Sequence, residues 1–414
     1  MSGEGSASFS TLTPGIFKQR YPNGVTWAGL KQSKFYNLCK KSTSFGEDYV
    51  YITVQLTAGT GGSPTFAKAL ANRGAGTTAK FTVSPKKDYV IGSIDNEILA
   101  AGNAGAIVNN LLHQFDMKGK EFGELIDRHI IGENGGAIGR LAASGGVSGS
   151  TIVMRTKAQA RNVRPGMKCE ASSDAAGATM RTSGGSNIVY TVSSVVVATK
   201  TITMTASTAG WSNSDYVWLE GEAASNWAGY LVWVPSADPS GTSVGTNVTC
   251  SADLSTDVWR LGGFRPSSGA VEGSLVGTIQ NACAEGMPYG INGAKVIVSP
   301  ADWTLMEKEI EHPNRDTVKS NVDANVGFKS IVIETAAGSV NVLADGRWPD
   351  DVFFWGDPEG WTLLSRGPYP AMPGKGNMLE ESADDAWQFR FRGYACLIPT
   401  DVSLRESCTG IFRS

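Results

Sequence analysis

Tyr49-Val-Tyr-Ile-Thr-Val-Gln-Leu56 places Val50, Ile52, Val54 and Leu56 on one side of an extended chain. Apolar residues recurring with period two mark a strand with one buried face. Ala58-Gly-Thr-Gly-Gly-Ser-Pro64 breaks the run, and residues 65–80 are small and polar, with Gly74 and Gly76 among them. Phe81-Thr-Val83 resumes a strand that returns through Tyr89-Val-Ile91. The reading is a long hairpin with a flexible tip. A hairpin of that length cannot bury its own surface, and the expected cover is another copy of the same chain. That points to an assembly protein rather than an enzyme.

A long amphipathic helix is expected next. It should start near Asp95, a capping residue, with Glu97 at the positive end of the dipole. Ile107, Leu111, Phe115, Phe122, Ile126 and Ile130 recur at helical spacing. Gly119 and Gly123 lower helix propensity and suggest a kink, and Gly132-Glu-Asn-Gly-Gly136 should end the helix. Its stripe is expected to pack on strands within 328–365.

Upstream, residues 1–48 turn from Ser/Thr/Gly-rich to basic, with Lys18, Arg20, Lys31, Lys34, Lys40 and Lys41 interleaved with aromatics. This reads as an extended arm that packs against a neighbour, in preference to one that touches nucleic acid. The plainer reading is a solvated leader with a short helix near residues 26–39. Lys40 and Lys41 in the arm, and Thr65, Phe66, Lys68, Arg73 and Lys80 around the hairpin tip, are the candidate contacts between copies.

Downstream, residues 148–222 are rich in Thr, Ser and Val. Ile188–Val197 and Thr201–Thr205 form a hairpin across Ala198-Thr-Lys200, and Asp215–Leu219 closes the segment. This is an all-β barrel or sandwich inserted between α-containing parts. A helix is expected over 272–285, then a strand at Lys295–Val298. Ser299 caps the next helix, with Pro300 at its first position. Strands dominate from Phe328 onward. Ala386–Leu397 alternates Trp387, Phe389 and Phe391 with Gln388, Arg390 and Arg392.

Composition narrows the function. The chain has 414 residues, 41% of them hydrophobic and 18% charged, enough for two or three packed domains. A net charge of −3 argues against a dedicated DNA binder with a broad basic face. No apolar run reaches the length of a membrane span, and Met1–Ser8 carries no signal-peptide pattern. The six cysteines include no CxxC pair and read as reduced, mostly buried thiols. Asn247-Val-Thr249 is a chance sequon without a secretory signal.

The search for chemistry finds little. There are three histidines, His113, His129 and His312. Glu309-Ile-Glu-His312 has di-metal spacing but no partner helices, so it reads as a helix end. Gly241-Thr-Ser-Val-Gly245 matches a nucleophile elbow without the required strand before and helix after, so it reads as a loop. Gly74–Lys80 lacks the Gly-Lys-Ser/Thr of a phosphate loop, and Gly132–Gly139 lies at the wrong helix end for an anion. No catalytic residue, metal site or cofactor is expected.

The order of these parts resembles the major capsid proteins of tailed double-stranded DNA bacteriophages, the Hong Kong 97-type coat fold. Tyr49 to Ile94 looks like the extended E-loop. Asp95-Asn-Glu-Ile98 and the helix after it look like the start of the spine helix. Val296–Trp303 is similar to the strand-to-helix step of the axial domain, and 386–399 to its last strand. The resemblance implies an α+β fold with an N-terminal arm (1–48), E-loop (49–92), peripheral domain with spine helix (93–147), inserted β-domain (148–222), axial domain (223–327), peripheral sheet (328–385) and C-terminal axial strand (386–414). It implies a structural virion protein that assembles into pentamers and hexamers of an icosahedral head, in the host cytoplasm and without a membrane. Portal and scaffolding proteins, a decoration protein and non-specifically packaged DNA are the implied partners. No long charged leader is evident, so the scaffold is expected to be separate or a leader removed. Lys68 and Lys80 would supply the donor for the lysine–asparagine links of some members, but no acceptor is identified and cross-linking is not expected. A nanocompartment shell protein shares the fold, though the inserted domain and the length argue against it. A monomeric enzyme is the remaining alternative, and the failed motifs argue against that.

Overall fold

The computed structural model describes residues 33–43, 45, 48–57, 62–74, 76–95, 104–132, 137–174, 177–223, 225–235, 238–244, 247–266, 274–287, 295–310, 318–323, 328–350, 352–367, 378–380, 386–399 and 407–411. It is an α+β structure, and its described residues form three hydrophobic cores.

The hairpin strands Val50–Thr57 and Thr77–Val83 pair antiparallel, and Val248–Cys250 adds a third strand beside the second. Ile52, Val54, Leu56, Ala79, Phe81 and Val83 all point inward and are buried. Phe81 meets Trp233 edge-to-face at 5.5 Å. One face of the hairpin is therefore covered by its own subunit, which corrects the expectation that the whole hairpin needs a neighbour. The reason is the register: all six apolar residues fall on the same face, toward Trp233 and Leu261.

The return strand Lys86–Asp95 leaves the hairpin and pairs along ten rungs with the long strand Ala386–Pro399, from Ala386↔Asp95 to Ala395↔Lys86. Asp95 is thus a strand residue rather than a helix cap, and the long helix spans Ala104–Ile131. The helix is uninterrupted through Gly119 and Gly123, both buried. Gly132 ends it as expected, at φ 43° with its N–H on the Arg128 carbonyl. A Cβ on the neighbouring Gly229 would lie 2.3 Å from the His129 carbonyl oxygen, so two backbones touch there.

Phe122, Ile126 and Ile130 of the stripe are fully buried; the side chains of Ile107, Leu111 and Phe115 lie outside the described residues. The helix packs on the ladder 86–95/386–399, with Phe122 6.3 Å from Phe391. The expected partner, 328–365, contributes to that sheet only through Trp361–Ser365, which pairs with 395–399. The strands Phe328–Thr335 and Gly338–Ala344 instead join Lys295–Val298, Val352–Gly356, Val318–Asp323 and Ser407–Ile411 in a separate six-stranded sheet. There Ile333, Val340 and Val342 bury against helices Leu275–Gly286 and Pro300–Ile310. The sheets thus cross the expected grouping of 328–385 with the long helix and 386–414 with the axial part.

Residues 33–42 also differ from a free arm. Ser33 caps the short helix Lys34–Leu38. Phe35 is 0% exposed and sits 5.3 Å from Tyr230 and 5.6 Å from Trp348. Lys40–Ser42 runs parallel to Thr362–Leu364. A buried aromatic and a ladder hold this segment in the core. Residues 1–32 lie outside the described residues.

The segment from Gly139 to Leu219 forms a seven-stranded sheet with its own core, including Ile152, Cys169, Val192, Ile202 and Val217. The expected hairpin joins Val189–Val196 to Thr201–Met204, with Lys200 at φ 61° in the turn.

Candidate assembly surface

The hairpin tip carries a short helix, Phe66–Ala71, in which no residue is buried. Phe66 is 82% exposed and Leu70 49% exposed. Thr65 caps it only with backbone, its carbonyl accepting the Ala69 N–H at 3.0 Å. Lys68 and Arg73 are exposed beside it. Two large apolar side chains exposed on one short helix, among the described residues, make the tip a candidate contact surface. The tip residues are thus brought together, and Leu70 joins them.

Lys80 lies back from the tip, its Nζ 3.6 Å from the centroid of the exposed Tyr51 ring. Lys40 and Lys41 are not at the tip. Lys41 stands 4.0 Å over the Tyr36 ring, and burial lowers its pKa from the usual lysine range. They share an edge of the five-stranded sheet with each other but not with the tip residues.

A second open face lies on the ladder 86–95/386–399, opposite the long helix. Cross-strand pairs Tyr89↔Arg392, Ile91↔Arg390 and Lys87↔Tyr394 share it. Tyr89 and Ile91 are about half exposed, and the hydroxyls of Tyr89 and Tyr394 are 3.1 Å apart. Reading the sequence for its buried phase passed over these residues. They occupy the alternate positions of the same strands, so the signal was the aromatic and basic character of the off-phase residues.

The sequence motifs for chemistry resolve as structure. The Glu309 carboxylate accepts the Leu275 N–H at 2.8 Å and bonds Ser274 Oγ, so it caps the helix Leu275–Gly286; His312 lies outside the described residues. Ser243 bridges Thr249 in a β-bridge, without a following helix. His129 is buried with Nδ1 3.2 Å from Asp88 Oδ1, and Trp227 Nε1 donates to Asp88 Oδ2 at 3.1 Å. All three side chains of this group are closed off from solvent. Among the described residues no cluster of three or more His, Cys, Asp or Glu could hold a metal ion. Burial pushes the thiols of Cys169, Cys283 and Cys396 up to about 12, so they stay protonated. Among the described residues no helix is long and apolar enough to cross a membrane.

No family model and no curated protein matches the chain. Several solved structures are similar to it. The capsid of a native GTA particle is 10% identical, with a TM-score of 0.44, covering 100% of this chain and 96% of that one. A satellite phage P4 procapsid including the size determination protein is 10% identical, with a TM-score of 0.39, covering 99% and 92%. A chain of Mycobacterium phage Bobi is 10% identical, with a TM-score of 0.42, covering 99% and 95%.

Proposed function

We propose that this chain is a shell-forming coat subunit, the major capsid protein of a tailed-bacteriophage head with a Hong Kong 97-type fold. The observation that carries the reading is the hairpin. Its inner face is anchored in the subunit core while its tip helix leaves Phe66 and Leu70 exposed among the described residues. A monomer gains nothing from that arrangement. A ring of copies gains a contact at every subunit, and weak contacts repeated around a closed ring sum to a stable shell. Pentamers and hexamers enclosing DNA, with scaffolding, portal and decoration partners, belong to this reading, as does assembly in the host cytoplasm.

The test replaces residues 62–74 with a short Gly-Ser link. The expected result is a folded, soluble monomer that forms no closed particles under negative stain, whereas the unaltered chain forms phage-sized heads. Normal heads from the shortened chain would overturn the role of the tip. Single particles from the unaltered chain would overturn the coat reading, and small uniform shells would move it to a nanocompartment.

A further inference from the structure

Three elements line one cleft: the long helix, the turn Asp345–Asp350 and, from the inserted domain, the helix Lys157–Arg161 with Ala137, Ile138 and Asn162 beside it. Asp127 of the long helix lies at its floor, 0% exposed, with neither carboxyl oxygen hydrogen-bonded. Hydrogen bonds and ion pairs cross the seam to the inserted domain, beside Ile131, Ala137, Ile138 and Pro349 at the cleft. Ala158 N–H donates to Asp350 Oδ2 at 3.1 Å. An Arg347 guanidinium nitrogen reaches Asn162 Oδ1 at 3.4 Å. Arg128 lies 3.6 Å from Glu222, and Arg164 pairs with Glu124. Most of the inserted domain's buried apolar residues belong to its own core.

We propose that this seam is a pH-sensitive joint: the inserted domain stays seated on the long helix while Asp127 is protonated, and loosens when Asp127 ionises. An ionised Asp127 would face titratable groups on its own helix, the turn and the Lys34–Leu38 helix. From its own helix come Glu124 and Arg128. From the turn come Asp345, Arg347 and Asp350. From the Lys34–Leu38 helix come Tyr36 and, beside Asp345, Lys34. The inserted domain offers only neutral Gln159 and Asn162 at the cleft, its Arg164 being held by Glu124. Arg347 is the compensating cation, with Nε 3.9 Å from Asp127, but it also lies 3.7 Å from Glu124.

Burial is the largest influence on Asp127. With Asp345 and Glu124 adding to it and Arg347 opposing, it raises the pKa from 3.8 to about 8. An opened seam solvates Asp127 and returns it toward 3.8, so opening releases a proton anywhere between about 4 and 8. The opening constant therefore rises up to about tenfold per pH unit through that window and levels off above about 8. Seating is firmest in acid and is lost as the pH rises.

Hydrogen exchange on the full chain at pH 5.5, 6.5, 7.5 and 8.5 tests this, with the intrinsic pH dependence of exchange divided out. Protection of amides 157–163, Ala158 above all, should fall about tenfold per unit to pH 7.5 and flatten beyond. Amides 189–204, inside the inserted sheet, should not change. Asp127→Asn should remove the slope. Asp350→Asn should lower protection at every pH and keep the slope. Flat wild-type protection, or a slope that persists in Asp127→Asn, would overturn the joint. The wild-type profile decides by itself if Asp127→Asn does not fold.

Discussion

Two phenylalanines sit in opposite surroundings. Phe122 is fully buried against Phe391 and the long ladder. Phe66 stands in water on a helix with no buried residue. Phe122→Ala removes a ring from a packed core and should cost about 3–5 kcal/mol of monomer stability. Phe66→Ala should change it by no more than about 0.5 kcal/mol, while particle yield falls sharply. Denaturant melts of both variants beside particle counts make the comparison. Equal melting of the two would remove the distinction between core and contact residues. Gly92 belongs to the first class: a Cβ there would lie 2.3 Å from Phe389 Cζ, so the end of that ring occupies the space over the glycine of the paired strand.

At the scale of elements, caps explain where helices begin. Ser299 Oγ accepts the Asp302 N–H at 3.1 Å and donates back to its carboxylate at 2.9 Å, with Pro300 at the first position. That start was legible, since a hydroxyl, a proline and an acid in sequence form a local signature. The cap on Leu275–Gly286 was not. It uses Ser274 locally, but also Glu309 from the next helix, whose carboxylate sits on the exposed N–H groups. Glu309→Ala should cost about 1 kcal/mol, seen as a lower midpoint of chemical unfolding with an unchanged slope. An unaltered midpoint would show that Ser274 alone satisfies the cap. The long helix behaves the same way at its start. Asp95 has the character of a cap, yet ten rungs of strand pairing claim it. Its Gly132 stop needed no partner, because a glycine at positive φ ends a helix by itself.

For the whole molecule, the separation of cores sets what can move. The inserted sheet buries Ile152, Val192, Ile202 and Val217 among its own strands, and ion pairs and single hydrogen bonds are among its ties to the rest. A unit with its own core should fold alone. Residues 137–222 expressed by themselves should give a strand-type circular dichroism spectrum and one cooperative melt. A random-coil spectrum would mean that the long helix completes the domain. The arm behaves oppositely. Phe35 sits among Tyr230, Trp348 and Phe354, so residues 33–42 cannot detach without opening the central core.

Patterns that repeat over a few residues were written in the sequence: the inward phase of 50–56 and 389–391, the helical spacing of Phe122, Ile126 and Ile130, the hairpin across Ala198–Lys200, and the starts and stops at Ser299 and Gly132. These arise from backbone periods of about 2 and 3.6 and from groups that bond their near neighbours. Which strand lies beside which was settled only by the folded chain. Lys40–Ser42 against Thr362–Leu364, and Lys86–Asp95 against Ala386–Pro399 rather than against its own hairpin, depend on residues hundreds of positions apart. The same holds for the charges around Asp127, which come from distant stretches of chain. Each of those stretches is ordinary alone. Burial brings them together and gives the group its altered titration.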